Sequence, residues 1–206
     1  MNIWQISEVH FLDMDLVSEK SRMLQIGSWP GRCASRWIER YPMGQVVGYE
    51  PCISHFCYLT QTIQDSRIMW FAEGLSSTGA STERLHEYRN GLSHSTWDRT
   101  DMEIVDTYDI DCVTMREIYD RHGEFDVILM NCEGAEMMGL ADLAHDVDGV
   151  SMIAKQICVG WHDGKCYSPA VKENLMNILS KRYEVIPCAK TKRVKPCDQH
   201  TLLVRK

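Results

Sequence analysis

Asp126-Val-Ile-Leu-Met-Asn-Cys-Glu-Gly-Ala-Glu136 is an apolar run that ends abruptly in polar groups and one glycine. Four consecutive apolar residues, Val127 to Met130, suit a strand buried on both faces of a parallel sheet. The helix-forming residues from Ala135 to Leu143 predict a direct turn from that strand into a helix. Ligands of open α/β sheets sit beyond the carboxyl ends of the strands. Asn131, Glu133 and Glu136 are therefore expected at the mouth of a site, with Gly134 making the tight turn.

An earlier segment has the same arrangement. Arg22-Met-Leu-Gln-Ile26 reads as a strand and is followed by Gly27-Ser-Trp-Pro-Gly31. The helix predicted next carries Cys33, Ala34, Trp37 and Ile38 on one face. Then come Gln45-Val-Val-Gly-Tyr49 and the pair Glu50-Pro51. Glycines in a first strand-to-helix turn let the backbone approach a ligand, and an acid at the tip of the second strand can accept hydrogen bonds from ribose hydroxyls. The spacing Gly-x-x-x-Gly lacks the third glycine of the dinucleotide fingerprint.

In order along the chain, "LQIGSWPGRC", "VVGYEP", "CVTMREI", "FDVILMNCEGAE" and "ICVGWHDG" resemble the FkbM-type family of class I methyltransferases that use S-adenosyl-L-methionine (SAM). The resemblance spans about residues 20 to 206, and the "EGAE" block is its most specific part. It implies a Rossmann-like, seven-stranded, mostly parallel sheet with an antiparallel C-terminal strand and helices on both faces. It also implies that Gly27 and Gly31 flank the methionine part of SAM and that Glu50 holds the ribose. Gln25, Pro51 and Asn131 belong to the same expected SAM-binding set. Ala72 and Glu73, at the tip of the third strand, are expected against the adenine. Where the family usually shows Asp, this chain has Gln25, and where it shows Lys and Asp it has Leu129 and Asn131.

Composition agrees with a soluble globular protein of ordinary size. The 206 residues suffice for one domain, with 44% hydrophobic and 25% charged content. No apolar run approaches the ~20 residues needed to span a bilayer. The first twenty residues mix acidic with apolar side chains and lack a basic leader, so no signal peptide is read there. The nine cysteines are odd in number and form no Cys-x-x-Cys pair, which predicts a reduced, cytoplasmic protein and no zinc site. A net charge of −7 opposes nonspecific binding to nucleic acid. The basic run Lys190–Lys195 reads as a solvated hairpin loop.

Strands are predicted at Met23–Ile26, Gln45–Tyr49, Arg67–Ala72, Val127–Met130, Ser151–Val159, Glu184–Pro187 and His200–Val204. Helices are predicted at about Arg32–Arg40, Ile53–Ile63, Thr114–His122, Glu136–Leu143 and Ala170–Arg182. Residues 1–20 are expected as a short helix or arm, packing through Ile3, Trp4, Ile6 and Val9, before a single domain over 21–206. Gly74 to Asp101 breaks the alternation and reads as a lid or an extra β-hairpin carrying His86, Tyr88, His94 and Trp97.

Methyl transfer from a sulfonium needs a positioned nucleophile and a dry site, with a base if the nucleophile is a hydroxyl. Glu133 is a candidate for that base, or else a carboxylate stabilising the helix dipole, which is also the reading for Glu136. Asn131 can orient a hydroxyl but cannot act as a base. His162, with an ordinary pKa near ~6.5, is the natural proton acceptor; otherwise it caps its strand. Asp163 is considered as its orienting partner, and no metal is assigned. Trp29 could stack on adenine or lie over the sulfonium, or simply pack beneath the turn. The leading expectation is a SAM-dependent methyltransferase acting on a hydroxyl of a small molecule or saccharide, releasing S-adenosylhomocysteine. The competing classes are an inactive methyltransferase-like binding protein, an NAD-dependent dehydrogenase and a nucleic-acid methyltransferase.

Overall fold

The computed structural model describes residues 2–7, 10–91, 94–97, 102–145, 154–162, 167–187 and 198–206. In chain order the elements are β1 (Ile3–Gln5), β2 (Phe11–Asp13), β3 (Arg22–Ile26), α1 (Arg32–Arg40), β4 (Gln45–Tyr49), α2 (Ile53–Thr62) and β5 (Ile68–Phe71). They continue with β6 (Gly74–Leu75), β7 (Thr82–Tyr88), β8 (Ile104–Val113), α3 (Met115–His122), β9 (Val127–Met130) and α4 (Glu136–His145). Last come β10 (Gln156–His162), α5 (Pro169–Leu179), β11 (Tyr183–Pro187) and β12 (Asp198–Arg205).

Seven strands form the central sheet in the order β11-β12-β10-β9-β3-β4-β5. β12 is antiparallel to both neighbours, and the remaining strands share one direction. Alternation along the strands divides the core into two layers. On one face Leu24, Val47, Ile128 and Ile157 meet Ile118, Leu140 and Leu175 from α3, α4 and α5. On the other Met23, Val46, Leu129 and Cys158 meet Trp37 of α1 and the N-terminal residues Ile6 and Leu12. All of β9 is buried, as its unbroken apolar run requires. Leu129 therefore belongs to the core and faces away from any ligand.

Local chemistry starts the helices. Thr114 and Glu117 form a capping box that satisfies free amides at the start of α3. Ser168 caps α5, with Pro169 as its first residue, where a missing N–H costs nothing.

Two open alternatives narrow and two boundaries move. Of the helix and the arm, the described residues among 1–20 show the arm: β1 and β2 pair antiparallel, Ile3 opposite Asp13 and Gln5 opposite Phe11, before a 3₁₀ turn at Met14–Leu16. The fully buried Gln156 ties this arm to the sheet, accepting from the Asp13 amide (2.7 Å) and donating to its carbonyl (3.0 Å). Val9 lies outside the described residues. The segment after Gly74 contains a β-hairpin, and its second strand runs well past Asp101 to Val113. β6 pairs parallel with the end of β8, completing a three-stranded sheet in the order β6-β8-β7. The exposed Asp106, Asp109 and Asp111 hid β8 from a propensity reading, because Asp is depleted in strands. Finally, β10 begins at Gln156 and extends to His162, while 151–153 lie outside the described residues, as do Asp163 and the basic run 190–195.

Candidate functional site

The turns after β3 and β9 touch. Gly27 has φ +77°, and a Cβ on it would stand 2.1 Å from the Asn131 carbonyl oxygen. Any side chain there would collide with backbone. Gly31 has a packing role. It also has positive φ, and its missing Cβ makes room for Leu59 of α2 and for Ile63 just after that helix.

Glu50 stands at the tip of β4, 6% exposed. Its Oε2 accepts from the Trp29 amide at 3.1 Å and its Oε1 from the Cys52 amide at 3.2 Å. The carboxylate thus fixes the glycine turn from the neighbouring strand, while one edge still faces a cleft.

Beyond β9 the backbone is strained. Glu133 has φ +55°, a left-handed conformation that costs a non-glycine residue of order 1–3 kcal/mol and persists only where surrounding bonds impose it. Those bonds are present. Glu136, wholly buried, accepts from the amides of Cys132 and Gly134, both at 2.8 Å. Ser95 Oγ donates to the Glu133 carbonyl at 2.8 Å, so the inserted sheet closes over this turn.

His162 lies between two carboxylates. Its Nδ1 is 2.9 Å from Glu136 and its Nε2 is 3.2 Å from Glu133. Burial alone would favour the neutral ring, but the Glu136 charge and the hydrogen bonds to both carboxylates overcome it and lift the pKa to about 11. In turn the imidazolium holds Glu136 below the usual carboxylate range despite complete burial. The free imidazole expected of a general base is replaced by a cation with both nitrogens engaged.

Gly27, Trp29, Glu50, Pro51, Glu73, Asn131 and Glu133 line one cleft, whose free volume is about 70 Å³. Gln25 does not reach it. With Ser7, His10 and Cys33 it lines a second cavity of about 140 Å³, which shares Gly27, Trp29 and Asn131 with the first. Gly31 and Ala72 line neither cavity, so a direct ligand contact is not supported for them. Glu73 borders the cleft, but Arg121 takes its carboxylate at 2.9 and 2.6 Å. The Trp29 indole stacks on His55, centroids 4.0 Å apart, and His55 stacks in turn on His94 at 4.8 Å.

Sequence reasoning passed over Cys52, His55, Glu87 and Ser95. The available signal was Cys52-Ile-Ser-His55, which places a thiol and an imidazole one helical turn apart directly after Glu50-Pro51. Burial pushes the Cys52 thiol up, but hydrogen bonds from His55 and His94 bring it down to about 6.

No family model matches the chain, and no curated protein sequence matches it. Solved structures do. An O-methyltransferase from Bacillus cereus in complex with SAH superposes with a TM-score of 0.56 at 14% identity, covering 93% of this chain and 76% of that one. The fold is that of the class I methyltransferases. Aeropyrum pernix fibrillarin with bound S-adenosyl-L-methionine gives 0.54 at 12% identity, covering 91% and 67%. A precorrin-6y C5,15-methyltransferase from Geobacter metallireducens gives 0.50 at 8% identity, covering 92% and 83%. At such identities the class I likeness concerns the path of the chain. It carries neither substrate nor mechanism.

Proposed function

We propose that this chain is a SAM-dependent methyltransferase of the FkbM type that methylates a hydroxyl on a small molecule or saccharide. One observation carries the reading: Gly27, Glu50 and the Asn131–Glu133 turn, from the ends of three strands, border a single cleft at the carboxyl rim of the sheet. The residues fit a nucleoside sulfonium. Gly27 presents bare backbone, Glu50 offers carboxylate oxygens for ribose hydroxyls, and Pro51 gives an apolar surface for a base. Bound there, SAM would supply a methyl group already activated on sulfur. Asn131 would orient the acceptor hydroxyl and Glu133 would take its proton. His162, cationic between Glu133 and Glu136, then positions Glu133.

The cleft's free volume is below the ~300–1,000 Å³ of pockets that hold ligands of this size. The acidic balance of the chain favours an uncharged or basic acceptor over RNA.

A specific observation favours a second reading. His162, held as a cation between two carboxylates, has no free nitrogen to take a proton from an acceptor, and a chain that binds SAM without turning it over would need none there. Calorimetric titration with S-adenosylhomocysteine, followed by transfer from methyl-labelled SAM to a panel of sugars, phenols and RNA, separates the possibilities. Binding with labelled O-methyl product supports the proposal, and binding without product supports the second reading. Label on RNA alone overturns the acceptor class; absence of binding overturns both readings.

A further inference from the structure

Cys52, His55, Glu87 and His94 meet where the inserted sheet rests on the core, with His55 and His94 in the wall of the cleft. Cys52 caps α2 and His55 lies in its first turn, whereas Glu87 is near the end of β7 and His94 follows it. The ligating atoms of Cys52, His55 and His94 all fall within 4.8 Å of one another. Glu87 Oε1 is 3.2 Å from Cys52 Sγ and also accepts from the Tyr108 hydroxyl at 2.7 Å. Cys52 is fully buried and His55 nearly so.

We propose that these four side chains bind one Zn²⁺, which fastens the inserted sheet to the core. The donor set is a thiolate, two imidazoles and a carboxylate, which suits a tetrahedral borderline cation. Calcium and magnesium would require oxygen ligands throughout. The charges also balance: two anionic and two neutral ligands leave a dication site neutral, and burial tolerates only compensated charge. Zinc bonds of about 2.0–2.3 Å place tetrahedral donor atoms roughly 3.2–3.8 Å apart. The Cys52–Glu87 pair already has that spacing, Cys52, His55 and His94 lie within 4.8 Å of one another, and the Glu87 carboxylate, outside that group of three, turns towards the histidines on loading.

Outer partners are in place. Tyr108 would keep its bond to the ligating carboxylate, and Glu50 Oε1 lies 3.6 Å from His55 Nδ1. The Tyr88 amide donates to His94 Nδ1 at 3.2 Å. Coordination through the other nitrogen puts the ring proton on Nδ1, so loading exchanges that bond for another acceptor. Zn²⁺ entry displaces to solvent the proton that Cys52 and His55 share and involves no redox change.

This site does not rest on the methyltransferase reading. The full chain, reduced and stripped with a chelator, is titrated with Zn²⁺ against a chromophoric competitor and separately with Co²⁺. One equivalent should bind, and the Co²⁺ form should show a thiolate charge-transfer band with intense tetrahedral d–d absorption. Cys52→Ser and His94→Gln should each weaken Zn²⁺ binding by more than about a hundredfold. Cys57→Ser, which alters an exposed thiol on the same helix, should leave it unchanged. Circular dichroism checks folding, and Glu87→Gln, expected to weaken binding in the same direction, replaces Cys52→Ser if that variant aggregates. Parent-like affinity in His94→Gln and Glu87→Gln, or a Co²⁺ spectrum without the thiolate band, overturns the proposal and leaves a hydrogen-bonded thiolate cluster.

Discussion

His162 is buried against Glu136 at 2.9 Å and Glu133 at 3.2 Å, and its protonation is part of the fold. Its folded pKa of about 11 lies above the unfolded value, so the stability it contributes is complete below pH ~6.5 and disappears as pH rises through about 11. Glu136 acts oppositely: its folded value is depressed, so its contribution is present above its unfolded pKa and is lost as pH falls below it. Replacing His162 by Gln leaves buried carboxylates without their cation and should cost about 3–5 kcal/mol near neutrality. In urea unfolding the gap between parent and His162→Gln should be wide at pH 7 and narrow towards pH 11; a gap that ignores pH would exclude the cation. Glu50→Ala should weaken S-adenosylhomocysteine binding by ~1–3 kcal/mol, read by calorimetry, because ribose hydroxyls would lose their acceptor. Equal affinity would remove Glu50 from that part. At this scale Gly27, Glu50, Asn131 and Glu133 were legible because each ends a recognisably buried strand. The state of His162 was not, since both of its carboxylate partners lie far from it in sequence.

Elements show the same division. β3, β4, β9 and their helices could be read from apolar runs that stop at Gly27, Glu50 and Asn131, and the structure reproduces them within a residue or two. The inserted sheet could not be read that way, for it is organised by polar hubs. Glu83 accepts from Ser76 Oγ and the Ser77 amide, each at 2.7 Å, and from the Thr78 amide at 2.9 Å. These bonds hold its carboxyl below the ordinary range although burial opposes them. Glu83→Ala should cost about 1.5–3 kcal/mol, the worth of bonds to a charged group, and should speed amide exchange first in β7. Uniform acceleration across the central sheet would show that the insertion has no separate stability. Thr114→Ala, which removes the α3 cap, should cost ~1 kcal/mol in denaturant unfolding. No change there would mean Glu117 alone satisfies the helix start.

Across the whole molecule the two cavities share the wall of Gly27, Trp29 and Asn131, so events on one side can be felt on the other. A ligand that binds only the folded state raises the melting temperature with its concentration; saturating S-adenosylhomocysteine at a hundred times Kd should add about 2.7 kcal/mol. A melting curve indifferent to it would count against the nucleoside site at every scale at once. Among the described residues, no helix is long and apolar enough to cross a membrane.

The position of β12 also has a consequence for assembly. β12 follows β11 in the chain yet sits between β11 and β10, so β11 has no place to dock until its successor exists. Until then β10 waits with its backbone groups open along one side, and that unpaired margin is a template for another chain. Synthesis that stalls before residue 198 should therefore yield a sticky intermediate rather than a smaller soluble protein.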